Sequence, residues 1–237
     1  MVVQAQEGLL TDTGTAHVRV LIATAVPAER DAVARGVRER HPAIDVVAVG
    51  VGPAAAAAGT ATALTKAALS GRPYTLVVSA GIGGGFTTPP GTVLIADAIT
   101  AADLGAETPE GFLPVTELGF GTVTHRPPAS LVRDLAAATG AAPGSVGTVL
   151  TVSTVTGTAD RAALLAQRHP GAVAEAMEGF GVAEAAAAHD VAVAEIRAVS
   201  NAVGPRDRAA WRIGDALAAL TDAFGKSAPV LESWNNT

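Results

Sequence analysis

The sequence predicts one α/β domain with a largely parallel sheet, and two observations carry this prediction. Short apolar runs rich in Val and Ile alternate with Ala-rich helical segments along most of the 237 residues, which is the pattern of βαβ units. Hydrophobic residues make up 49% of the chain but aromatic residues only 3%. We therefore expect a tight core of small side chains, which a chain of this length can bury without disulfides.

The composition argues against several kinds of function. The formal net charge is -6, and no run of Lys or Arg offsets it locally, so we expect neither a nucleic-acid site nor a membrane-binding surface. The chain has no Cys, which excludes thiolate catalysis and Cys-ligated metals. The five His residues show no metal-ligand spacing, and we expect no metal and no cofactor.

The two ends of the chain are expected to lie outside the domain. Residues 1–17 lack the basic start and long apolar block of a signal peptide, so we expect a soluble cytoplasmic protein. The predicted organisation is a poorly ordered extension at 1–17, one domain at 18–230 and a tail at 231–237.

The first strand–turn–helix unit places an acid at the end of a strand. Residues 19–25 form a β-branched run, and Val26–Pro27 start a turn into a helical segment. Glu29 therefore lies at the carboxyl end of the first strand. It either caps the helix or belongs to a site, and Asp31 could supply the cap instead.

The central strand is predicted at 74–80, because its apolar run is nearly continuous. Four glycines within 81–85 follow, and they would let the backbone approach a ligand at the strand's carboxyl end. Thr87–Pro90 stand where a phosphate-binding helix should begin, so a dinucleotide site is not favoured. Further strands are expected at 44–50, 91–100, 146–152 and 191–199, and helices at 54–69, 128–138, 159–168 and 208–224.

Two more polar residues lie at element ends. Glu178 opens an Ala-rich helical segment, where a carboxylate gains from the helix dipole but needs a donor once it is buried. The alternative is a solvated first-turn acid. Asn201 follows the last strand, where an ordinary turn Asn is the alternative.

The acidic connection 103–110 is either a lid or a plain loop.

These residues converge because the carboxyl ends of parallel strands meet at one edge of the sheet. Glu29, the 81–85 glycines and Asn201 all follow strands, and Glu178 begins a helix beside them. Two carboxylates, an amide and a glycine-rich wall favour acid–base hydrolysis or binding of a neutral, hydroxyl-rich ligand.

Four segments, AVPAERDAV, VVSAGIGGG, AEAMEGFGVAEAA and IRAVSN, resemble the purine nucleoside phosphorylase/nucleosidase superfamily, and within it the branch that hydrolyses futalosine. The resemblance covers 18–230. It implies a three-layer α/β sandwich around a mixed, twisted central sheet, assembled as a homodimer or larger oligomer, with a small-molecule nucleoside as substrate.

The resemblance also implies roles for individual residues. Glu29 matches the acid that activates water, Glu178 the acid that holds the ribose hydroxyls, and Met177 the side chain beneath the sugar. Ile82 and Gly83 would line the pocket through backbone groups.

At two positions this sequence differs from related enzymes, and the differences bear on which base is recognised and which nucleophile is used. Asn201 stands where adenine-specific nucleosidases carry an Asp that protonates N7; an amide cannot transfer that proton, but it can donate to and accept from a 6-oxopurine. The phosphorylases place an arginine before their glycine-rich turn, whereas residues 77–80 here are Val-Val-Ser-Ala. Water is then the nucleophile, with Glu29 as its base.

The implied reaction is hydrolysis of the N-glycosidic bond of futalosine, which releases hypoxanthine and dehypoxanthinylfutalosine on a route to menaquinone. The alternatives are a methylthioadenosine/adenosylhomocysteine-type nucleosidase and a non-catalytic nucleoside-binding protein. Arg126, Arg206 and Arg208 are either partners for the carboxylated 5′ group or surface charges.

Overall fold

The computed structural model describes residues 18–37 and 41–235, so the predicted extension at 1–17 lies outside the described residues. Within these ranges the chain forms ten strands and six α-helices. The strands are β1 Val20–Thr24, β2 Ile44–Ala48, β3 Leu76–Gly85, β4 Val93–Ala101, β5 Gly105–Thr108, β6 Gly111–Pro114, β7 Thr124–His125, β8 Val146–Thr151, β9 Ala172–Ala176 and β10 Ala192–Ala202. The helices are α1 Pro27–Val37, α2 Pro53–Leu69, α3 Ala129–Thr139, α4 Ala159–Arg168, α5 Gly179–Ala188 and α6 Ile213–Ser233.

The main sheet is mixed, as the resemblance implied. Its strand order is β10-β4-β8-β9-β3-β1-β2, with β7 added beside β4. β10–β4 and β3–β9 are antiparallel pairs, which the alternation of strands and helices alone did not predict. β10 also pairs in parallel with β3, so β10, β4, β8, β9 and β3 close into a ring.

Two helical layers cover the sheet, which confirms the three-layer arrangement. α1, α3 and α6 pack on one face, around buried side chains such as Leu135 and Phe224. α2 and α5 pack together on the other face, around Leu64 and Val182. The many Ala residues of α2 and α5 allow this close approach.

Two strands extend further at their carboxyl ends than predicted. β3 continues through the glycines to Gly85, and β10 continues to Ala202. The two strands pair from Leu76 and Ala192 to their last residues. The glycines therefore belong to the strand and pair with β10, so β3 does not end at residue 80 as predicted.

Strand β9 was not predicted from the sequence. Its residues, AVAEA, are Ala-rich and carry a Glu, so they match helix preferences as well as strand preferences. It is nevertheless a strand that pairs with β8 on one side and with the end of β3 on the other. α5 begins only at Gly179, which places Glu178 at its N-cap.

The last helix also differs from the prediction. Residues 208–210 form a separate 3-10 turn, and α6 runs from Ile213 to Ser233. Leu231 and Trp234 are buried in the core, so the boundary predicted at 230 falls inside a packed helix. The acidic connection 103–110 forms the first strand and the turn of the β5–β6 hairpin. Across 18–37 and 41–235, no helix is long and apolar enough to cross a membrane.

Candidate active site

Glu29 is buried near the start of α1, with 4% of its surface exposed. Its Oε2 accepts hydrogen bonds from the backbone N–H of Ala25 at 3.0 Å and of Val26 at 3.3 Å. Its Oε1 accepts from the N–H of Ile82 at 2.9 Å. The carboxylate therefore ties the turn after β1 to β3 and is more than a helix cap. About three of its four acceptor positions are used.

Glu178 is likewise buried, with 6% of its surface exposed. Its Oε1 accepts from the backbone N–H of Gly52 at 3.2 Å, and its Oε2 accepts from Nη1 of Arg197 at 3.2 Å. Gly52 has φ of 86°, a conformation that favours glycine and that turns its N–H toward the carboxylate. Glu178 thus has the donors that a buried carboxylate needs, and it is not a solvated first-turn acid.

Arg197 is the central residue of this cluster, and the sequence analysis missed it. It lies on β10 with 1% of its surface exposed. Its Nε donates to Oε1 of Glu195 at 2.8 Å and its Nη2 to Oγ of Ser79 at 3.0 Å. One signal could have found it: two opposite charges spaced i, i+2 share one face of an otherwise apolar strand.

Arg197 stays charged despite its complete burial. Burial alone would lower the pKa of its guanidinium, but the carboxylates of Glu195, Glu178 and Glu29 outweigh that effect and raise it. A permanent cation thus stands among three carboxylates, and the cluster contains more acids than bases.

The first glycine of the β3 stretch is required where Glu29 and Arg197 approach each other. A β-carbon at Gly81 would lie 2.6 Å from Nη1 of Arg197 and 2.7 Å from Oε1 of Glu29. These separations are shorter than van der Waals contact, so a side chain here would displace one of the charged groups. Glu29 and the cluster around Arg197 therefore form one site.

A cavity of about 150 Å³ adjoins this site. Its walls are Ile82, Gly83, Gly84, Val155, Thr156, Glu175, Ala176, Ser200, Asn201, Ala202, Val203, Gly204, Pro205, Arg206 and Trp211. The predicted residues Ile82, Gly83 and Asn201 are thus brought together. Ile82 joins the cavity to Glu29 through its N–H. Glu178 and Met177 are not among the wall residues; Met177 lies half-buried between β9 and α5.

The amide of Asn201 is held in place by its neighbours. Its Oδ1 accepts from the hydroxyl of Ser200 at 2.7 Å, and its Nδ2 donates to the carbonyl of Ala202 at 2.9 Å. Asn201 lies within β10, so it is not the loop residue that the alternative assumed. An amide has two acceptor and two donor positions, so Asn201 can form one further bond of each kind.

Glu175, also missed by the sequence analysis, faces the same cavity. It is 5% exposed, and it accepts from the N–H of Thr156 at 2.8 Å and from the Thr156 hydroxyl. Burial raises the pKa of its carboxyl group; the bonds from Thr156 and the charge of Arg161 oppose this, and Asp103 adds to it.

The raised pKa of Glu175 predicts a pH dependence of stability. The folded chain holds this proton to a higher pH than the unfolded chain, where a Glu titrates near ~4.3. The contribution of this proton to the free energy of unfolding is therefore complete below the unfolded pKa of Glu175. It is lost as the pH rises through the pKa of Glu175 in the folded chain. In Glu175→Gln the loss is absent, so the stability of the variant relative to the wild type should increase with pH. Urea unfolding across this range measures it, and Asp134→Asn, an exposed change on α3, is the control. A difference that does not change with pH would contradict the prediction.

The three candidate arginines are dispersed. Arg206 lines the Asn201 cavity. Arg208 stands over the ring of Trp211, with 5.8 Å from its guanidinium carbon to the ring centre. Arg126 lines a different cavity, beside Phe112 and Arg168. Only Arg206 is in direct reach of a ligand in the Asn201 cavity.

Within 18–37 and 41–235, no three His, Asp or Glu side chains cluster as metal ligands would.

These features define the class of the protein as an α/β protein of the phosphorylase superfamily, whose family model matches residues 19–231. Within that superfamily the chain belongs to the futalosine hydrolase family. It is 70% identical to the futalosine hydrolase of Streptomyces coelicolor over 231 residues, which cover 91% of this chain and 97% of that protein. It is 47% identical to the futalosine hydrolase of Acidothermus cellulolyticus over 223 residues, which cover 87% and 89%.

Solved structures confirm the fold. A methylthioadenosine/adenosylhomocysteine nucleosidase from Neisseria meningitidis, in complex with methylthio-immucillin-A, superposes with a TM-score of 0.74 at 17% identity, covering 91% of this chain and 99% of that one. The futalosine hydrolase of Helicobacter pylori superposes with a TM-score of 0.69 at 16% identity, covering 90% and 98%. At such identities the likeness concerns the fold alone.

Proposed function

We propose that this protein hydrolyses the N-glycosidic bond of futalosine and releases hypoxanthine and dehypoxanthinylfutalosine. The observation that carries the proposal is the meeting of Glu29 and Arg197 above Gly81, beside the cavity that Asn201 lines. The family, with relatives at 70% and 47% identity that are futalosine hydrolases, supports this choice of substrate.

In the proposed mechanism Glu29 accepts a proton from water, and the water oxygen attacks C1′ of the ribose. The C1′–N9 bond breaks, and its electron pair leaves with the base. The base takes up a proton from solvent to become neutral hypoxanthine, and Glu29 returns its proton to solvent. Glu29 suits this role because three backbone N–H groups fix its orientation. Positioned bases of this kind contribute about 10²- to 10⁴-fold to the rate.

Glu178 is the proposed ribose clamp. A carboxylate can accept from two vicinal hydroxyls, and the bonds from Gly52 and Arg197 already fix its plane. Positive charge grows on the sugar as the base departs. The excess of carboxylates around Arg197 stabilises that charge. Met177 is proposed to pack beneath the sugar.

Asn201 is proposed to receive the leaving base. Its remaining N–H would donate to N7 or O6 of hypoxanthine, which takes the electron pair of the broken bond. Ile82 and Gly83 would line the same pocket through their backbones, since both form part of the cavity wall.

Arg197 also bears on whether water or phosphate is the nucleophile. The sequence offers no arginine directly before Gly81, but β10 brings Nη1 of Arg197 close to Gly81. Arg197 already forms ion pairs with Glu178 and Glu195, and its guanidinium lies near Glu29. A phosphate dianion would therefore meet mostly carboxylates, which favours neutral water.

The test is an assay of hypoxanthine release from futalosine with and without inorganic phosphate. We expect equal rates in both buffers, and we expect mass spectrometry to find one atom of ¹⁸O from labelled water in the sugar product. Methylthioadenosine and adenosylhomocysteine serve as comparison substrates. Phosphate-dependent release, or faster release of adenine from those two compounds, would overturn the proposal.

The proposal extends to the cellular setting. We place the enzyme in the cytoplasm, on a route to menaquinone, as a homodimer or larger oligomer, on the strength of its family.

A further inference from the structure

Three adjacent strands bring Glu175, Gly84 and Asn201 into one row across the sheet. Gly84 of β3 is paired with Asn201 of β10 on one side and with Glu175 of β9 on the other. Neighbouring strands lie about 4.8 Å apart, so the backbones at Glu175 and Asn201 are roughly 10 Å apart.

The centre of this row has no side chain. Directly paired residues of neighbouring strands project to the same face, so the side chains of Glu175 and Asn201 lie on the same face of the sheet. All three residues form part of the same cavity wall. A β-carbon at Gly84 would lie 3.4 Å from Nδ2 of Asn201 and 2.9 Å from a methyl carbon of Val203. Glycine therefore lets the Asn201 amide and the Val203 methyl approach the strand closely. The part of the cavity beside Gly84, here called the slot, has the carboxylate of Glu175 on one side and the amide of Asn201 on the other.

The two sides of the slot offer different hydrogen-bonding groups. Glu175 is held from behind by the N–H and the hydroxyl of Thr156, and an ionised carboxylate can only accept. Asn201 can still donate through Nδ2. The slot thus presents an acceptor facing a donor.

A 6-oxopurine matches this arrangement when its O6 edge points toward Gly84. N1–H, a donor, lies on one side of O6, and N7, an acceptor, lies on the other. In adenine N1 carries no hydrogen and is itself an acceptor. A buried carboxylate facing that atom would be left unpaired and repelled, which strongly disfavours the wrong base.

We propose that Glu175 is a specificity-determining residue that accepts the N1–H of the 6-oxopurine, opposite Asn201, and so selects hypoxanthine over adenine nucleosides. This inference rests on the proposed function, because it assigns the recognition of the leaving base at that same site.

The test compares kcat/KM for futalosine and for its 6-amino analogue in the wild type, Glu175→Gln and the control Asp134→Asn. Glutamine keeps the size of the side chain and adds a donor. We expect kcat/KM for futalosine to fall roughly 10- to 100-fold in Glu175→Gln. The 6-amino analogue should lose nothing or gain, so that the ratio between the two substrates collapses. Asp134→Asn should keep the wild-type ratio.

A second measurement needs no variant. Calorimetry on the wild type with hypoxanthine, 1-methylhypoxanthine and adenine should show at least tenfold weaker binding for the two bases that lack N1–H. Equal binding of the three bases, or an unchanged substrate ratio in a folded Glu175→Gln, would overturn the role of Glu175. A wild type that releases no hypoxanthine from futalosine would instead overturn the proposed function.

Discussion

Glu29→Gln is expected to lower kcat for futalosine hydrolysis by about 10²- to 10⁴-fold, because an amide cannot take the proton of the attacking water. KM should change little, since the proposed contacts to the ribose and the base are made by Glu178 and Asn201. The side chain keeps its size, but only one of its two ends can accept from the backbone N–H groups of Ala25, Val26 and Ile82. We therefore also expect a loss of about 1–3 kcal/mol in stability, with the chain still folded.

Steady-state kinetics with a direct assay of hypoxanthine measure this effect. Asp31→Asn is the matched control, because Asp31 lies two residues further along α1, is exposed, and pairs only with Arg30 among the described side chains. Its kcat should equal that of the wild type. A Glu29→Gln enzyme that keeps its full kcat would remove Glu29 from the role of base.

Arg197→Met is expected to destabilise the protein by about 3–5 kcal/mol, a large part of the stability of an ordinary domain. Methionine fills a similar volume, but it leaves Glu178 and Glu195 as buried carboxylates without their cation. The loss should appear in urea unfolding followed by circular dichroism. The matched control is Arg133→Met, at an exposed position on α3, which should stay within about 0.5 kcal/mol of the wild type.

A double variant separates lost charge pairing from lost packing. Glu195→Gln in the Arg197→Met background removes one of the stranded charges, so the double variant should be more stable than Arg197→Met alone. The two residues are in direct contact, and such pairs give non-additive effects. The single variant Glu195→Gln completes the comparison. If the stability losses of the two single variants add up to the loss of the double variant, the pairing of Glu195 with Arg197 contributes nothing to stability. The electrostatic explanation of the cluster then fails.

The order of strands and helices was accessible from the sequence because hydrophobic periodicity is a local property. The secondary-structure predictions failed mainly where pairing with a strand distant in sequence decides whether a segment is a strand. The glycines at 81–85 have the composition of a turn, but they form a strand because β10 pairs with them along the chain to Gly85. β9 has the composition of a helix, and its neighbours β8 and β3 make it a strand.

The site shows the same division. Glu29, Glu178 and Asn201 are predictable as candidates because polar residues at the ends of apolar elements stand out. Arg197 and Glu195 lie inside an apolar strand, and Glu175 lies in a segment with the composition of a helix. Their importance comes from partners far along the chain, such as Ser79 for Arg197 and Thr156 for Glu175. A local pattern can mark the Glu195–Arg197 pair, but it cannot show which residues from other strands will surround it.

The ring of five strands has a consequence for how the protein folds. β10 closes it by pairing with β3, more than a hundred residues earlier, and the same strand carries Arg197 and Asn201. Such distant pairings form slowly, since a long loop must be ordered before any contact rewards it. Until β10 docks, Glu178 lacks its cation and the Gly84 slot has only its Glu175 side. Catalytic competence should therefore arise in the last, slowest step of folding, and refolding followed by activity should lag behind refolding followed by helix content.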